Sequence, residues 1–379
     1  MVIEVPYKYK DVWGRQHVTV LHYERGVDPH TQHVRWALLP GGMGNGGDPA
    51  PQGPPRVVAI GGGTGLPIVL RALRRWLGAP SGQAAPSALT AIVAVTDDGG
   101  SSGAIRSACQ VAPPGDIRNC LVALAEETSP VSQVFQYRFD GGAECEGHTL
   151  GNLFLAASAR VRPNLLEAVE LAQRILGARG RVLPCTLADV RLRAEFLDGS
   201  VAEGETNLRA QRRPIRRLSL VPADPPAVPG AVEALRLADL VVIGPGSLYT
   251  SLLAVLAVPE IARALAETRA RRVLVLNLMT EPGETDAFSG PDHLRALNEH
   301  LGATVADAVL ANDAPFPEDL VARYAAQGAH PVAMGEDGFG AFGVAVIRAR
   351  LAAPRDPARH DPEALAAALA ACFAARVTA

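Results

Sequence analysis

Val57-Val58-Ala59-Ile60-Gly61-Gly62-Gly63-Thr64-Gly65-Leu66 is the stretch whose reading decides the fold. Four β-prone apolar residues run into four glycines and a threonine, and then Leu66, Val69, Leu70, Leu73 and Leu77 recur at helical spacing. Strand, glycine turn and helix bring backbone N–H groups and a helix N-terminus to one point. That point carries partial positive charge and suits a phosphate. A tight turn without a ligand rarely needs four glycines, so Gly61, Gly62, Gly63, Thr64 and Gly65 are candidate ligand-binding residues.

The turn is neither of the two common phosphate loops. A dinucleotide fingerprint asks for a third glycine where this chain has Leu66, and for an acid about 20 residues on. A Walker loop asks for lysine, and the chain's only lysines are Lys8 and Lys10. Nicotinamide dehydrogenases, P-loop NTPases and lysine-based catalysis in the main body all fall in rank.

Length and composition bound the rest. A chain of 379 residues, 48% hydrophobic, can bury a large α/β core. A net charge of -3 offers nothing to nucleic acid. The scattered Cys109, Cys120, Cys145, Cys185 and Cys372 contain no C-x-x-C pair, which fits a reducing, cytoplasmic setting. No spanning membrane segment is expected, because the apolar stretches at Leu248–Pro259 and Ala364–Val377 are too short or too alanine-rich.

Residues 1–55 read as an N-terminal extension and Gly/Pro-rich linker. Its His17, His22, His30 and His33 match no metal-ligand spacing and read as solvated. The main domain is expected over 56–379. Leu89–Val95 reads as a strand buried on both faces, ending in Thr96-Asp97-Asp98-Gly99-Gly100-Ser101-Ser102. Carboxylates and hydroxyls at that end of a parallel strand can hold a cation, orient a ribose or act as base. Asp97 and Asp98 are the candidate ligands for Mg²⁺, and Gly99, Ser101 and Ser102 join the candidate site.

Pro113-Pro114-Gly115-Asp116 reads as a rigid turn with Asp116 as helix cap or candidate ligand-binding residue, and Arg118 and Asn119 are placed to reach a phosphate. Gly147-His148-Thr149-Leu150-Gly151-Asn152 opens another helix, and puts His148 and Asn152 among the candidates. A peripheral β insertion is expected at about 181–221, and its Arg-rich Glu203–Arg213 connection reads as a solvated face.

A second strand and glycine turn follows at Leu240–Ile243 and Gly244-Pro245-Gly246-Ser247-Leu248-Tyr249-Thr250. Two such turns can face each other across a topological switch point and hold two parts of one extended ligand. Gly244, Gly246, Ser247, Tyr249 and Thr250 are therefore candidates. So are the strand-end polar residues Asn277, Thr280 and Asn312.

In this order, GGGTGL, TDDGGSSG, PPGDIRN, GHTLGNL, GPGSLYTS, NLMTEPGET and RHDPE closely resemble the bacterial gluconeogenesis factor family. That family is a branch of the CofD-like superfamily, whose other branch holds a phospholactate transferase. The resemblance runs from about Arg56 to the C-terminus. It departs at Ala254-Val255-Leu256, where relatives have Pro-Asn-Leu. It implies a three-layer α/β/α Rossmann-like (CofD-like) fold with a mostly parallel sheet. It also implies a site for UDP-N-acetylglucosamine or a related UDP-sugar, and regulation of cell shape and of carbon flux to wall precursors. The resemblance assigns ligand contacts to Tyr324 and Arg359. The alternative it carries is a Mg-dependent transferase of a phosphorylated small molecule, with Asp97, Asp98 and His148 as catalytic candidates. Whether a second copy of the chain is a partner stays open.

Overall fold

A computed structural model of the chain describes residues 2–10, 16–27, 34–39, 54–78, 88–140, 142 and 145–374. The chain divides into two compact units, Met1–Pro54 with Ala367–Ala379, and Pro55–Ala366. In the first, β1 (Val2–Lys10), β2 (Gln16–Val27) and β3 (Val34–Leu39) form an antiparallel sheet in that order. His30 and His33 lie outside the described residues.

The larger unit is built on β4 (Val57–Gly61), β5 (Leu89–Val93) and β6 (Arg181–Pro184). After them come β7 (Arg191–Phe196), β8 (Val201–Glu203) and β9 (Ile215–Val221). The chain then adds β10 (Leu240–Ile243), β11 (Arg271–Val275), β12 (Ala308–Asn312) and β13 (Ala345–Ala349). Seven strands make one parallel sheet in the order β13-β12-β11-β10-β4-β5-β6, flanked by helices in a three-layer α/β fold. Every residue of β4, β5 and β10 is buried, as continuous apolar runs between helical layers require.

The expected insertion at 181–221 divides. Arg181–Pro184 pairs with β5 as the edge of the main sheet, while β7, β8 and β9 form a separate antiparallel sheet. Alternating burial along β7 marks that sheet as covered on one face only.

The order of strands positions the site. From β4 the chain builds β5 and β6 on one side, and later β10 to β13 on the other. The switch point falls between β4 and β10, so the two glycine turns lie side by side at the carboxyl ends of neighbouring strands. The first turn leads into α1 (Gly65–Leu77), whose buried Leu66, Val69, Leu70 and Leu73 face the core. The second leads into a π-helical turn, Leu248–Leu253, rather than a plain α-helix. The two turns touch: a β-carbon at Gly65 would lie 2.2 Å from the Pro245 carbonyl oxygen. Gly63 has a φ of +60°, in the left-handed region that glycine adopts without strain.

Among the described residues no single helix is long and apolar enough to cross a membrane. The pair Leu248–Leu256 and Pro259–Glu267 passes only jointly and is bent by 80°.

The Gly65 contact yields a test. Gly65→Ala sets a methyl group against backbone rather than a movable side chain, and overpacking of this kind costs about 1–3 kcal/mol. Urea denaturation should show that loss; an unchanged midpoint would mean that the two turns are free to part.

Candidate functional site

A cavity of about 630 Å³ opens at the switch point. The Gly63–Gly65 turn and Pro245–Ser247 form its floor, and the residues following β11, Asn277 to Pro282, form a wall. Tyr324, Gln327, Arg212, Ala358, Arg359 and His360 close the remainder. Asn277 fixes the second turn by exchanging two hydrogen bonds with Gly246: it accepts from the backbone N–H at 3.0 Å and donates to the carbonyl at 2.9 Å. Thr280 is held by His330 in the same way, through Thr280 N to the His330 carbonyl at 2.7 Å and His330 N to Thr280 Oγ1 at 2.9 Å.

Tyr324 packs on the apolar cluster of Leu278, Met279 and Leu320, with the Arg323 guanidinium 5.9 Å from its ring centre. An aromatic face with one wet edge is a stacking platform for a base or sugar. Arg359 pairs with Asp356 at 3.1 Å. Arg359 and Thr64 also line a smaller pocket of about 130 Å³ beside Arg71 and Asn119. Arg359 is thus shared by the two pockets.

Behind the floor lies a charge network. Glu284, 5% exposed, accepts from the Tyr249 and Thr250 N–H groups at 3.1 and 3.3 Å, from Thr250 Oγ1 at 2.8 Å and from Arg209 Nε at 3.2 Å. Ser247, the residue before the π-helical turn, makes no side-chain cap bond, and the Glu284 carboxylate satisfies those amides from across the fold. Arg209 also donates to Ser247 Oγ at 3.1 Å and pairs with Glu205 at 3.2 Å, and Ser247 passes a hydrogen bond to Glu281 Oε1 at 2.9 Å. The Arg-rich connection is exposed as expected, and the Arg209 side chain is 49% exposed, but from α2 (Glu205–Gln211) its guanidinium also serves as counter-charge to Glu205, Glu284 and Glu281.

The aspartates of the TDDGGSSG stretch have separate partners. Asp98 Oδ1 accepts from Thr206 N at 2.8 Å and Thr206 Oγ1 at 2.7 Å, and so caps the helix that carries Arg209. Asp97 Oδ1 accepts from Gly99 N at 2.9 Å. Among the described residues no three His, Cys, Asp or Glu side chains gather to hold a metal ion. Asp97 and Asp98 thus each commit Oδ1 to a separate partner within the fold.

Asp116 is not a helix cap. It lies in the first turn of the Gly115–Leu124 helix, after Pro114, and its Oδ2 accepts from the Gly63 N–H at 2.7 Å. An amide expected to face a phosphate is therefore engaged by the protein's own carboxylate. Arg118 turns to Asn119 Oδ1 at 2.6 Å. Ser101 Oγ lies 2.9 Å from His148 Nδ1 and accepts from Asn152 Nδ2 at 3.0 Å, which leaves its proton free to bond a neutral His148. Ser102 Oγ is held against Gly115.

Of the expected residues, Gly63, Thr64, Gly65, Gly246, Ser247, Asn277, Thr280, Tyr324 and Arg359 meet around the larger cavity. Others serve the frame. Tyr249 is 2% exposed and donates to the Ile215 carbonyl, and Thr250 belongs to the Glu284 network. Asn312 accepts from Leu351 N and Ala352 N and so ties the β12 end to the following chain. Gly61, Gly62 and Gly244 lie beneath the cavity floor: a β-carbon at Gly62 would press on Asp116 and one at Gly244 on Leu252. Glu281, Glu284, Arg209, Arg212 and His360 were not anticipated. Glu281 and Glu284 stand in NLMTEPGET and His360 in RHDPE, so sequence placed them near the site without singling them out.

Burial raises three carboxylates in this region. Glu205 is pushed up to about 8, Glu281 to about 7 and Asp116 to about 6, with Arg209 opposing the rise in each case. In the unfolded chain all three titrate near the usual value of about 4. Between these values the native protein holds protons that the unfolded chain has released, so their contribution to stability falls as pH rises from about 4 to about 8. The denaturation midpoint of the ligand-free protein should be lower at about pH 9 than at about pH 6. Glu205→Gln should flatten that decline; equal slopes in variant and wild type would remove Glu205 from the account.

The comparisons with known proteins agree with this architecture. Residues 57–352 match the family model described as 2-phospho-L-lactate transferase CofD. The chain is 40% identical to the gluconeogenesis factor of Bacillus subtilis over 316 residues, covering 83% of this chain and 97% of that protein. It is 40% identical to the gluconeogenesis factor of Halalkalibacterium halodurans over 291 residues, covering 77% and 88%. A crystal structure of a UPF0052-family protein from Bacillus halodurans superposes with a TM-score of 0.77 at 39% identity, covering 83% of this chain and 98% of that one. This chain belongs to the CofD family, on the branch whose members carry the name gluconeogenesis factor.

Proposed function

We propose that this protein binds UDP-N-acetylglucosamine, or a related UDP-sugar, in the cavity between the two glycine turns, and acts as a cytoplasmic regulator of cell shape and of carbon flow to wall precursors. The observation that carries the reading is the cavity itself. It is large enough for a nucleotide sugar at about 630 Å³ and sits at the switch point, with Tyr324 on one side and Arg359 on another. Backbone amides of the turns other than those of Gly63 and Gly246, together with the Arg359 guanidinium, suit a diphosphate, and the Tyr324 ring suits a uracil or a sugar face. The names of the curated relatives support the assignment to gluconeogenic growth.

A second reading is a transferase of a phosphorylated small molecule. The description of the family model favours it, and so does the Ser101–His148–Asn152 constellation, where a hydroxyl faces an imidazole. In that reading His148 takes or returns a proton during transfer.

Calorimetry separates the two. Binding of UDP-N-acetylglucosamine with no UDP or phosphoryl product after hours favours the regulator, while a released product favours the transferase. Arg359→Ala should weaken binding about 10- to 100-fold, the equivalent of losing a charge-assisted hydrogen bond of about 1.5–3 kcal/mol. Tyr324→Ala should weaken it about fivefold, a stacking loss of about 1 kcal/mol. Unchanged affinity in both variants would take the ligand out of this cavity.

A further inference from the structure

The pocket of about 130 Å³ shares only Thr64 and Arg359 with the larger cavity. Its volume is well under the about 300–1,000 Å³ of a pocket for a whole small-molecule ligand, so it admits one compact group and no nucleoside. Four parts of the chain build it. Thr64 and Arg71 come from the start and second turn of α1, Asn119 from the Gly115–Leu124 helix, Gln136 from the end of the Pro130–Gln136 helix, and Arg359 from the chain before Pro362.

Every polar side chain in this lining is a donor with capacity to spare. Arg71 gives Nε to Glu127, and Arg359 sets Nε against Asp356 at 3.1 Å. Both ion pairs are open to solvent and therefore screened, and neither carboxylate lines the pocket. Each guanidinium keeps the four N–H groups of its terminal nitrogens. Asn119 Oδ1 accepts from Arg118 at 2.6 Å, which leaves Nδ2 as the open end of that amide. Gln136 Nε2 gives one N–H to the Ser132 carbonyl at 3.4 Å and keeps the second. Thr64 occupies the N-cap of α1, yet its hydroxyl caps nothing.

The two other lining residues, Pro67 and Val122, are apolar, and the first turn of α1 contains no acidic residue. Two guanidiniums, two amides, a hydroxyl and the positive end of a 13-residue helix thus face one space, with no carboxylate among them. A carboxylate ligand would bring one charge and two oxygens to such a pocket. A phosphoryl group brings three oxygens and about 1.5–2 charges, and guanidinium forks match its geometry.

We propose that the smaller pocket is a binding site for a single phosphoryl group, with Arg71 and Arg359 supplying the charge and Asn119, Gln136 and Thr64 the neutral hydrogen bonds. The assignment goes beyond the nucleotide-sugar reading of the larger cavity and stands without it. The group has two sources, a second phosphorylated ligand or the nucleotide's own phosphate passing Arg359.

Titration calorimetry of the full chain with inorganic phosphate, at an ionic strength held constant with sodium chloride, tests the site; acetate is the control. Phosphate should bind at least about tenfold more tightly than acetate. Arg71→Gln should weaken phosphate binding about 10- to 100-fold, the loss of a charge-assisted hydrogen bond. Asn119→Asp keeps the side chain's shape and puts a negative charge into the lining, so it should abolish phosphate binding, and it serves if Arg71→Gln does not fold. Wild-type protein that binds phosphate no better than acetate, or folded variants that bind phosphate as wild type does, overturns the proposal. Once dependence on Arg71 is shown, a titration at saturating UDP-N-acetylglucosamine separates the sources. Undiminished phosphate binding assigns the site to a second phosphorylated ligand, and competition assigns it to the nucleotide's own phosphate. Wild-type protein that does not bind UDP-N-acetylglucosamine overturns the nucleotide-sugar reading alone, and the phosphate titration still decides this site.

Discussion

The close approach of the two glycine turns is the constraint on which the site depends. Gly65 leaves no room for a side chain against the Pro245 carbonyl, so β4 and β10 can end side by side with their turns in contact. Any larger residue would force the turns apart and open the floor of the cavity. The parallel sheet supplies the geometry, because a chain that builds to one side of β4 and then to the other must leave a crevice between the first and fourth strands of the series. Glycine then decides how tight that crevice is.

Holding the turns together is a matter of charge as much as packing. Glu284 takes the place of a helix cap for the π-helical turn and meets Arg209, which reaches in from the separate β7–β9 layer. Asp98 in turn caps the helix that bears Arg209. A line of hydrogen bonds therefore runs from the end of β5, through the peripheral layer, to the turn after β10. Buried carboxylates in such a network are costly unless each finds a donor, and nearly all here do. The exception is one oxygen of Glu281, a residue of the cavity wall.

Much of this was legible in the chain itself. The apolar runs at Val57–Ile60 and Leu240–Ile243, each ending in glycine and followed by a helix, showed a parallel sheet and its two phosphate-type turns. Glycine, proline and strand-end polar residues write their backbone role directly into sequence. Tyr324 and Arg359 came from family resemblance alone, since nothing in their local spacing marks a site. Asp116 and Arg209 show where local reading stops. Asp116 looked like a helix cap because it follows Pro-Pro-Gly, yet its carboxylate crosses to the Gly63 amide. Arg209 looked like one of several surface arginines, and only the packing of its helix selects it from its neighbours Arg212 and Arg213.

Sequence by itself determined the class of fold, the order of strand, turn and helix, and the presence of two anion-suited turns, because these follow from periodicity and from the conformational freedom of glycine over a few residues. Tertiary structure decided which polar groups face the cavity and which are spent on the frame. Tyr249, Thr250, Asn312 and Asp98 are consumed by partners far away in the chain, whereas Glu281 and His360 each keep one buried side-chain atom unpaired. A side chain's hydrogen bonds are set by what the fold brings within about 3 Å of it, and no local pattern records that distance.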